Sequence, residues 1–140
     1  MIMGMYTEIY VRCHFKKDLP EEVLLILNDL FNDENLVVEN LLPDHPFFKC
    51  ERWGLIGSWS SYYHIPFSLS KLWKDEIDSS YYLISRSDLK NYDNEIEKFF
   101  DWIMPYIDAD DGDFIGYKLY EEDREPTLIF YHKPDEEEND

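Results

Sequence analysis

The segment Tyr6-Thr-Glu-Ile-Tyr-Val-Arg-Cys-His-Phe-Lys16 alternates apolar and polar side chains along its whole length. One face carries Thr7, Ile9, Val11, Cys13 and Phe15. A period of two residues is that of a β-strand with one buried and one solvated face, which is common in antiparallel sheets. The segment therefore predicts a half-buried strand.

Two later segments repeat apolar residues at the period of an α-helix. The first carries Val23, Leu27, Leu30 and Phe31, and the second carries Ile96, Phe99, Phe100, Ile103, Met104 and Ile107. Asp18 and Glu21 are expected to cap the first helix. Asn94 and Glu97 are expected to cap the second. Pro105 falls inside the second pattern, where it is expected to kink the last turn.

Shorter patterns and turn residues divide the rest of the chain. The expected elements are a short strand at 36–38, a hairpin with strands at 47–53 and 58–65 around a turn at 54–57, a short helix at 67–77, a strand at 79–85, and a closing hairpin at 114–122 and 126–133. Without the short strand at 36–38 and the short helix at 67–77, the order is β-α-β-β-β-α-β-β, which predicts an α+β fold. We expect a single antiparallel sheet of about five to six strands with two main helices on one face, of which a decorated ferredoxin-like arrangement is one form.

The length fits one domain, which we place at residues 1–134, followed by an acidic, disordered tail at 135–140. The chain carries 31 acidic and 13 basic residues, a net charge of −18, and 93–140 holds 17 of those acids against 4 bases. A hydrophobic fraction of 44% and an aromatic fraction of 17% favour a folded, aromatic-rich protein with an acidic surface over a disordered chain.

The start of the sequence resembles no signal peptide, and the longest aliphatic run, Val23 to Leu27, is too short to span a membrane. Cys13 and Cys50 are too few for a disulfide scaffold. We therefore expect a reduced, cytoplasmic protein that binds no membrane.

No sequence motif indicates a metal, a cofactor or a catalytic group. The acids at 108–113 do not follow the ligand spacing of an EF-hand, and the four histidines show no zinc-binding spacing. Cys13 belongs to the buried face of its strand, and the run at Ser58 lacks the G-x-S-x-G pattern of a nucleophile elbow. We expect no metal, no cofactor and no catalytic residue, and hence a protein that is not an enzyme.

A dense negative surface can imitate the phosphates of a nucleic acid and engage the basic site of a nucleic-acid-binding protein. We therefore expect an acidic inhibitor of such a partner, of the immunity or anti-defence type, and no direct binding of nucleic acid. The acids expected to face the partner are Asp108, Asp110, Asp111, Asp113, Glu121, Glu122 and Asp123. They lie on two turns that are either neighbours or at opposite ends of the sheet, and in the second case at most one turn is the site.

Aromatic side chains suggest a second kind of contact surface, because Tyr and Trp concentrate at protein interfaces. The first candidates are Trp53, Trp59, Tyr62 and Tyr63. One alternative function is therefore a structural or adaptor domain that forms a homodimer through an aromatic face. Another is an enzyme or ligand-binding domain whose site is assembled from residues distant in sequence.

Overall fold

The computed structural model describes residues 5–32, 42–60 and 67–133. Within these ranges the chain forms five strands and two α-helices. The strands are β1 (Thr7–His14), β2 (Leu69–Lys74), β3 (Tyr81–Leu89), β4 (Phe114–Tyr120) and β5 (Thr127–Phe130), and the helices are α1 (Glu21–Phe31) and α2 (Glu95–Ile103). Single 3₁₀ turns form at Pro46–Lys49, Trp53–Leu55 and Met104–Tyr106.

The five strands form one sheet in the order β2-β3-β1-β4-β5, and every neighbouring pair is antiparallel. The first four strands and the two helices follow the chain order and strand order of a ferredoxin-like βαββαβ unit, with β5 added beside β4. The predicted α+β class, with a single antiparallel sheet and two main helices, is confirmed.

The hydrophobic core lies between the two helices and one face of the sheet. Ile9 and Val11 of β1 are buried in the same cluster as Leu27 of α1 and Phe99 of α2. These residues belong to the apolar faces that the sequence predicted, so the periodicity of β1, α1 and α2 is realised in packing. Both helices lie on this one face, and within the described residues no helix lies on the opposite face of the sheet.

The predicted helix at 67–77 is wrong, because this segment forms β2. Leu69 and Trp73 project from one side of the strand, whereas Leu72 is buried on the other. The Asn32 side chain, just after α1, stabilises the outer edge of β2. Its Nδ2 donates to the carbonyl of Leu72 at 3.0 Å, and its Oδ1 accepts from the amide of Leu72 at 3.2 Å. This contact satisfies backbone groups that an edge strand otherwise exposes.

The predicted hairpin at 47–65 is wrong in the described residues, where 3₁₀ turns replace the first strand. Phe47, Phe48 and Trp53 pack with Trp102 of α2 as a cluster of mutually tilted and stacked rings. Such a cluster buries neighbouring rings together, whereas a strand sends them to opposite faces. The strand expected at 36–38 and residues 61–66 of the hairpin lie outside the described residues.

Both predicted capping pairs are wrong. Pro20 precedes α1 and makes no side-chain cap, and Asn94 adopts a left-handed conformation with φ 59° and likewise caps nothing. Asn91 takes that role for α2, since its Oδ1 accepts from the amide of Ile96 at 2.8 Å. Pro105 lies in the 3₁₀ turn Met104–Tyr106 that follows α2, in agreement with the expected distortion of the last turn.

The strand predicted at 79–85 and the closing hairpin at 114–133 are confirmed, as β3 and as β4 with β5. A bulge in β4 between Phe114 and Gly116 lets Ile115 and Gly116 both face the core. Gly116 is required there, because a Cβ would overlap the Tyr10 carbonyl and lie 2.9 Å from Cζ of Phe100.

Candidate functional site: the open face of the sheet

The face of the sheet opposite the helices carries a surface that the strand register assembles from all five strands. We call it the open face. It comprises Leu69, Lys71 and Trp73 of β2, Tyr82 and Ile84 of β3, Tyr10, Arg12 and His14 of β1, Phe114 and Tyr117 of β4, and Leu128 and Phe130 of β5. Leu69, Ile84 and Leu128 are 57%, 43% and 50% exposed. Large apolar side chains displayed together in this way mark an interaction surface more often than singly scattered ones do.

Aromatic rings on the open face stack across the strands. Tyr82 lies between Trp73, at 5.6 Å, and the imidazole of His14, at 4.2 Å, and the three rings are nearly parallel. Two rows further along the open face, Tyr10 stacks on Tyr117 at 5.2 Å. Cross-strand ring pairs of this kind stabilise the pairing of the strands that carry them.

At the Thr7 end, the same side of the sheet is filled by a buried charge network. The Arg86 guanidinium donates to Glu8 at 3.1 Å and to Asp88 at 2.8 Å, and all three side chains are buried. The Tyr117 hydroxyl donates to Glu8 at 2.8 Å. Burial and this hydrogen bond raise the pKa of Tyr117 to about 12. The network is internally satisfied, so its role is to hold the strands together.

At the opposite end, His14 lies among a serine and two aspartates in an arrangement that superficially resembles a catalytic triad. Its Nε2 is 2.5 Å from Oγ of Ser80, and its Nδ1 is 3.8 Å from a carboxylate oxygen of Asp108. The Ser80 hydroxyl also donates to Asp78 at 2.6 Å, and the hydrogen bonds from Ser80 lower the pKa of Asp78.

The protons of this cluster are arranged for orientation and not for nucleophilic attack. The ionised Asp78 can only accept, so it takes the single hydroxyl proton of Ser80. In this arrangement Nε2 of His14 donates to Ser80, so the ring is not placed to take the proton of this serine. Ser80 is also only 1% exposed. The cluster fixes the His14 ring at the end of the open face.

The predicted acids Asp108, Asp110, Asp111 and Asp113 form one exposed turn, the acidic turn, beside His14. The amide of Asp108 donates to the carbonyl of His14 at 2.8 Å, which ties the turn to the end of β1. Two of its carboxylates also accept hydrogen bonds from the backbone: the amide of Asp110 donates to Asp113, and the amide of Lys133 donates to Asp111. The turn is therefore a fixed part of the border of the open face.

The other predicted acids, Glu121, Glu122 and Asp123, form the hairpin tip at the far end of the sheet. Tyr120, just before the tip, pairs with Thr7 at the start of β1, whereas the acidic turn joins the end of β1. An eight-residue strand spans roughly 24 Å. The two acidic sets therefore do not form one patch, and at most one of them borders a given site.

The four predicted aromatic contact residues do not form one surface in the described structure. Trp53 is half-buried and packs on Phe47 and Phe48, so it belongs to the helix side of the molecule. Trp59 is 44% exposed, and its carbonyl accepts from the amide of Asp88 near the Thr7 end. Tyr62 and Tyr63 lie outside the described residues.

The sequence did not single out the rings that form the open face, among them Trp73, Tyr82 and Phe114. Two signals pointed toward them. The wet face of the first strand already carried Tyr10 and His14, and adjacent tyrosines on a strand must send one ring outward. Trp73 was missed because the segment that forms β2 was predicted to be a helix.

Within the described ranges, no three His, Cys, Asp or Glu side chains are grouped as a metal site requires. Among the same residues, no helix is both long enough and apolar enough to cross a bilayer. Comparison with known proteins finds no matching family model, no similar curated protein and no similar solved structure.

Proposed function

We propose that this protein is a non-enzymatic binding protein that engages and inhibits a basic, nucleic-acid-binding protein. The open face makes the contact, and the acidic turn borders it. The observation that carries this proposal is the position of an exposed aromatic and aliphatic surface directly beside four exposed carboxylates. Apolar area supplies binding energy, whereas fixed charge at a border selects the partner and speeds its approach.

The charge of the chain favours a basic protein over the other candidates. A second copy brings another net charge of −18 to the same surface, which opposes self-association. A nucleic acid meets the same repulsion. A basic partner is attracted, and electrostatic steering raises association rates by about 10- to 1,000-fold at low salt.

The partner is identified by photocrosslinking from the open face. A benzophenone-bearing residue replaces Ile84, which is exposed on that face, and in the control it replaces Glu22, which is exposed on α1. A protein that crosslinks to the variant with the probe at position 84, but not to the control, is then purified. Its affinity for this chain is measured by calorimetry over a range of salt concentrations. We expect a basic protein whose binding weakens steeply with salt.

Two charge-reversed variants with equal change in net charge then test the site. Asp108→Lys with Asp110→Lys alters the acidic turn, and Glu122→Lys with Asp123→Lys alters the hairpin tip. We expect the first pair to weaken binding about tenfold and the second to change it about twofold or less at physiological salt. Equal effects of the two pairs, or unchanged affinity in both, refute the proposed contact surface.

A further inference from the structure

A cavity of about 430 Å³ opens where the open face meets the acidic turn. Trp73, Tyr82 and His14 line it as the stacked row described above, and Phe114 lines it as well. Buried apolar side chains, including Leu83 and Ile107, also border it, and two exposed carboxylates complete it. The carboxylates are those of Asp108 and Asp113.

This lining suits a side chain that is apolar along its length and ends in a flat cation. Aromatic faces attract cations, and a guanidinium also stacks on them and pairs with carboxylates through two parallel hydrogen bonds. Lysine lacks the planar head and the paired geometry. The cavity therefore matches arginine better than lysine.

The chain already shows the interaction with its own arginine. The Arg12 guanidinium lies 5.4 Å from the ring centre of Phe114, and Arg12 itself lines the cavity. On β2, Nζ of Lys71 lies 5.6 Å from the ring centre of Trp73 of the same strand. The rings of this surface thus hold cations in the free protein.

We propose that the cavity is a binding site for an arginine side chain of the partner protein. This inference rests on the proposed function, because it names the group by which a basic partner is held. The guanidinium stacks on the Phe114 ring, beside the row of Trp73, Tyr82 and His14, and pairs with the carboxylates of Asp108 and Asp113 at the mouth of the cavity. Arg12 competes with it for the Phe114 ring, so it limits the affinity of the site.

The test uses three short capped peptides that differ at one position, which is arginine, lysine or citrulline in a glycine background. Citrulline has nearly the shape of arginine but no charge. Each peptide is titrated into the full chain and followed by NMR at the Trp73 indole and at the amide of Asp108, with the amide of Glu122 at the hairpin tip as a distant control.

We expect the arginine peptide to bind in the millimolar range and to shift the two cavity signals but not the control. The lysine peptide binds several-fold more weakly, and citrulline produces no saturable shift. Asp108→Asn with Asp113→Asn weakens the arginine peptide about tenfold, and the asparagine at 113 can still accept the turn hydrogen bond from Asp110.

Arg12→Ala separates this site from general charge attraction. It removes an exposed competitor and a like charge, so we expect it to tighten the arginine peptide several-fold. Unchanged or weaker binding in this variant contradicts the inference, as does a citrulline peptide that binds equally well.

The outcome is distinguishable from that of the proposed function. If the arginine peptide fails while the captured partner still responds to charge reversal at the acidic turn, only the cavity assignment is overturned. If the peptide binds as expected but the partner ignores those reversals, the cavity stands and the proposed partner contact fails.

Discussion

Removing the guanidinium of Arg86 should destabilise the protein far more than removing a surface arginine. Arg86 is 6% exposed and lies between Glu8 at 7% and Asp88 at 0%. The replacement Arg86→Met keeps the length of the side chain but leaves two buried carboxylates without the guanidinium. Breaking a buried ion pair from one side costs about 3–5 kcal/mol, because the remaining charge is poorly solvated.

The measurement is urea-induced unfolding followed by circular dichroism, with thermal unfolding as a second readout. A loss of about 3–5 kcal/mol corresponds to a fall in melting temperature on the order of 10 °C for a domain of this size. Arg12→Met is the matched control, since Arg12 is an exposed arginine on the same side of the sheet. This control variant should change the free energy of unfolding by no more than about 0.5 kcal/mol.

Neutralising the two acids supplies the decisive comparison. In a triple variant, Arg86→Met is combined with Glu8→Gln and Asp88→Asn. The glutamine can still accept from the Tyr117 hydroxyl, and neither amide needs a counter-charge. We expect this variant to recover more than half of the lost stability. Buried, unpaired carboxylates are not the cause of the lost stability if neutralising both acids restores none of it. The same holds if Arg86→Met lowers the free energy of unfolding no more than Arg12→Met does.

Three further predictions concern a packing contact, a thiol and a carboxylate. Gly116→Val forces a side chain into a backbone carbonyl of the neighbouring strand, so it should lower the free energy of unfolding by about 1–3 kcal/mol or more, measured by thermal unfolding. Gly54→Ala is the control, because no atom lies within 4 Å of the new Cβ, and it should change the free energy of unfolding by no more than about 1 kcal/mol. Burial raises the pKa of the Cys13 thiol, although the residue is half-buried, so iodoacetamide at pH 8 should label it much more slowly in the native protein than in the unfolded chain. Equal labelling rates in the two states contradict the raised pKa. Burial acts to raise the pKa of Glu97, but hydrogen bonds, chiefly from Lys118, hold this pKa below its ordinary 4.5. The stabilisation that Glu97 provides is therefore complete above pH 4.5 and is lost as the pH falls through the lower native pKa. Glu97→Gln should flatten this part of the pH–stability curve.

The elements that could be predicted from the sequence are those whose apolar period is long and unambiguous. β1, α1, α2 and the closing hairpin all carry such patterns, and all are present. The segment at 67–77 is different, because Phe67, Leu69, Leu72, Trp73 and Ile77 fit a helix about as well as a strand. The segment forms a strand because it pairs with β3, and the local sequence carries no pattern that predicts this pairing.

The candidate site follows the same division. Its acids were visible as a run at 108–113, because that run is continuous in sequence. Its aromatic wall was not visible, because Trp73, Tyr82 and His14 come from three strands and meet only through the register of the sheet. Trp53 and Trp59 were the better candidates by local context, yet Trp53 packs on the helix side and Trp59 lies near the Thr7 end, away from the row of Trp73, Tyr82 and His14.

The sequence by itself determined the α+β class, the main amphipathic elements and the strong negative charge, since these depend on composition and on periods that any register preserves. Only the tertiary structure decided how the charge is distributed. Because β4 runs antiparallel to β1, it starts beside the acidic turn at one end of the sheet and delivers the hairpin tip to the other. Strand direction and pairing, which are long-range contacts, therefore separate two acidic segments that lie only a few residues apart in the chain.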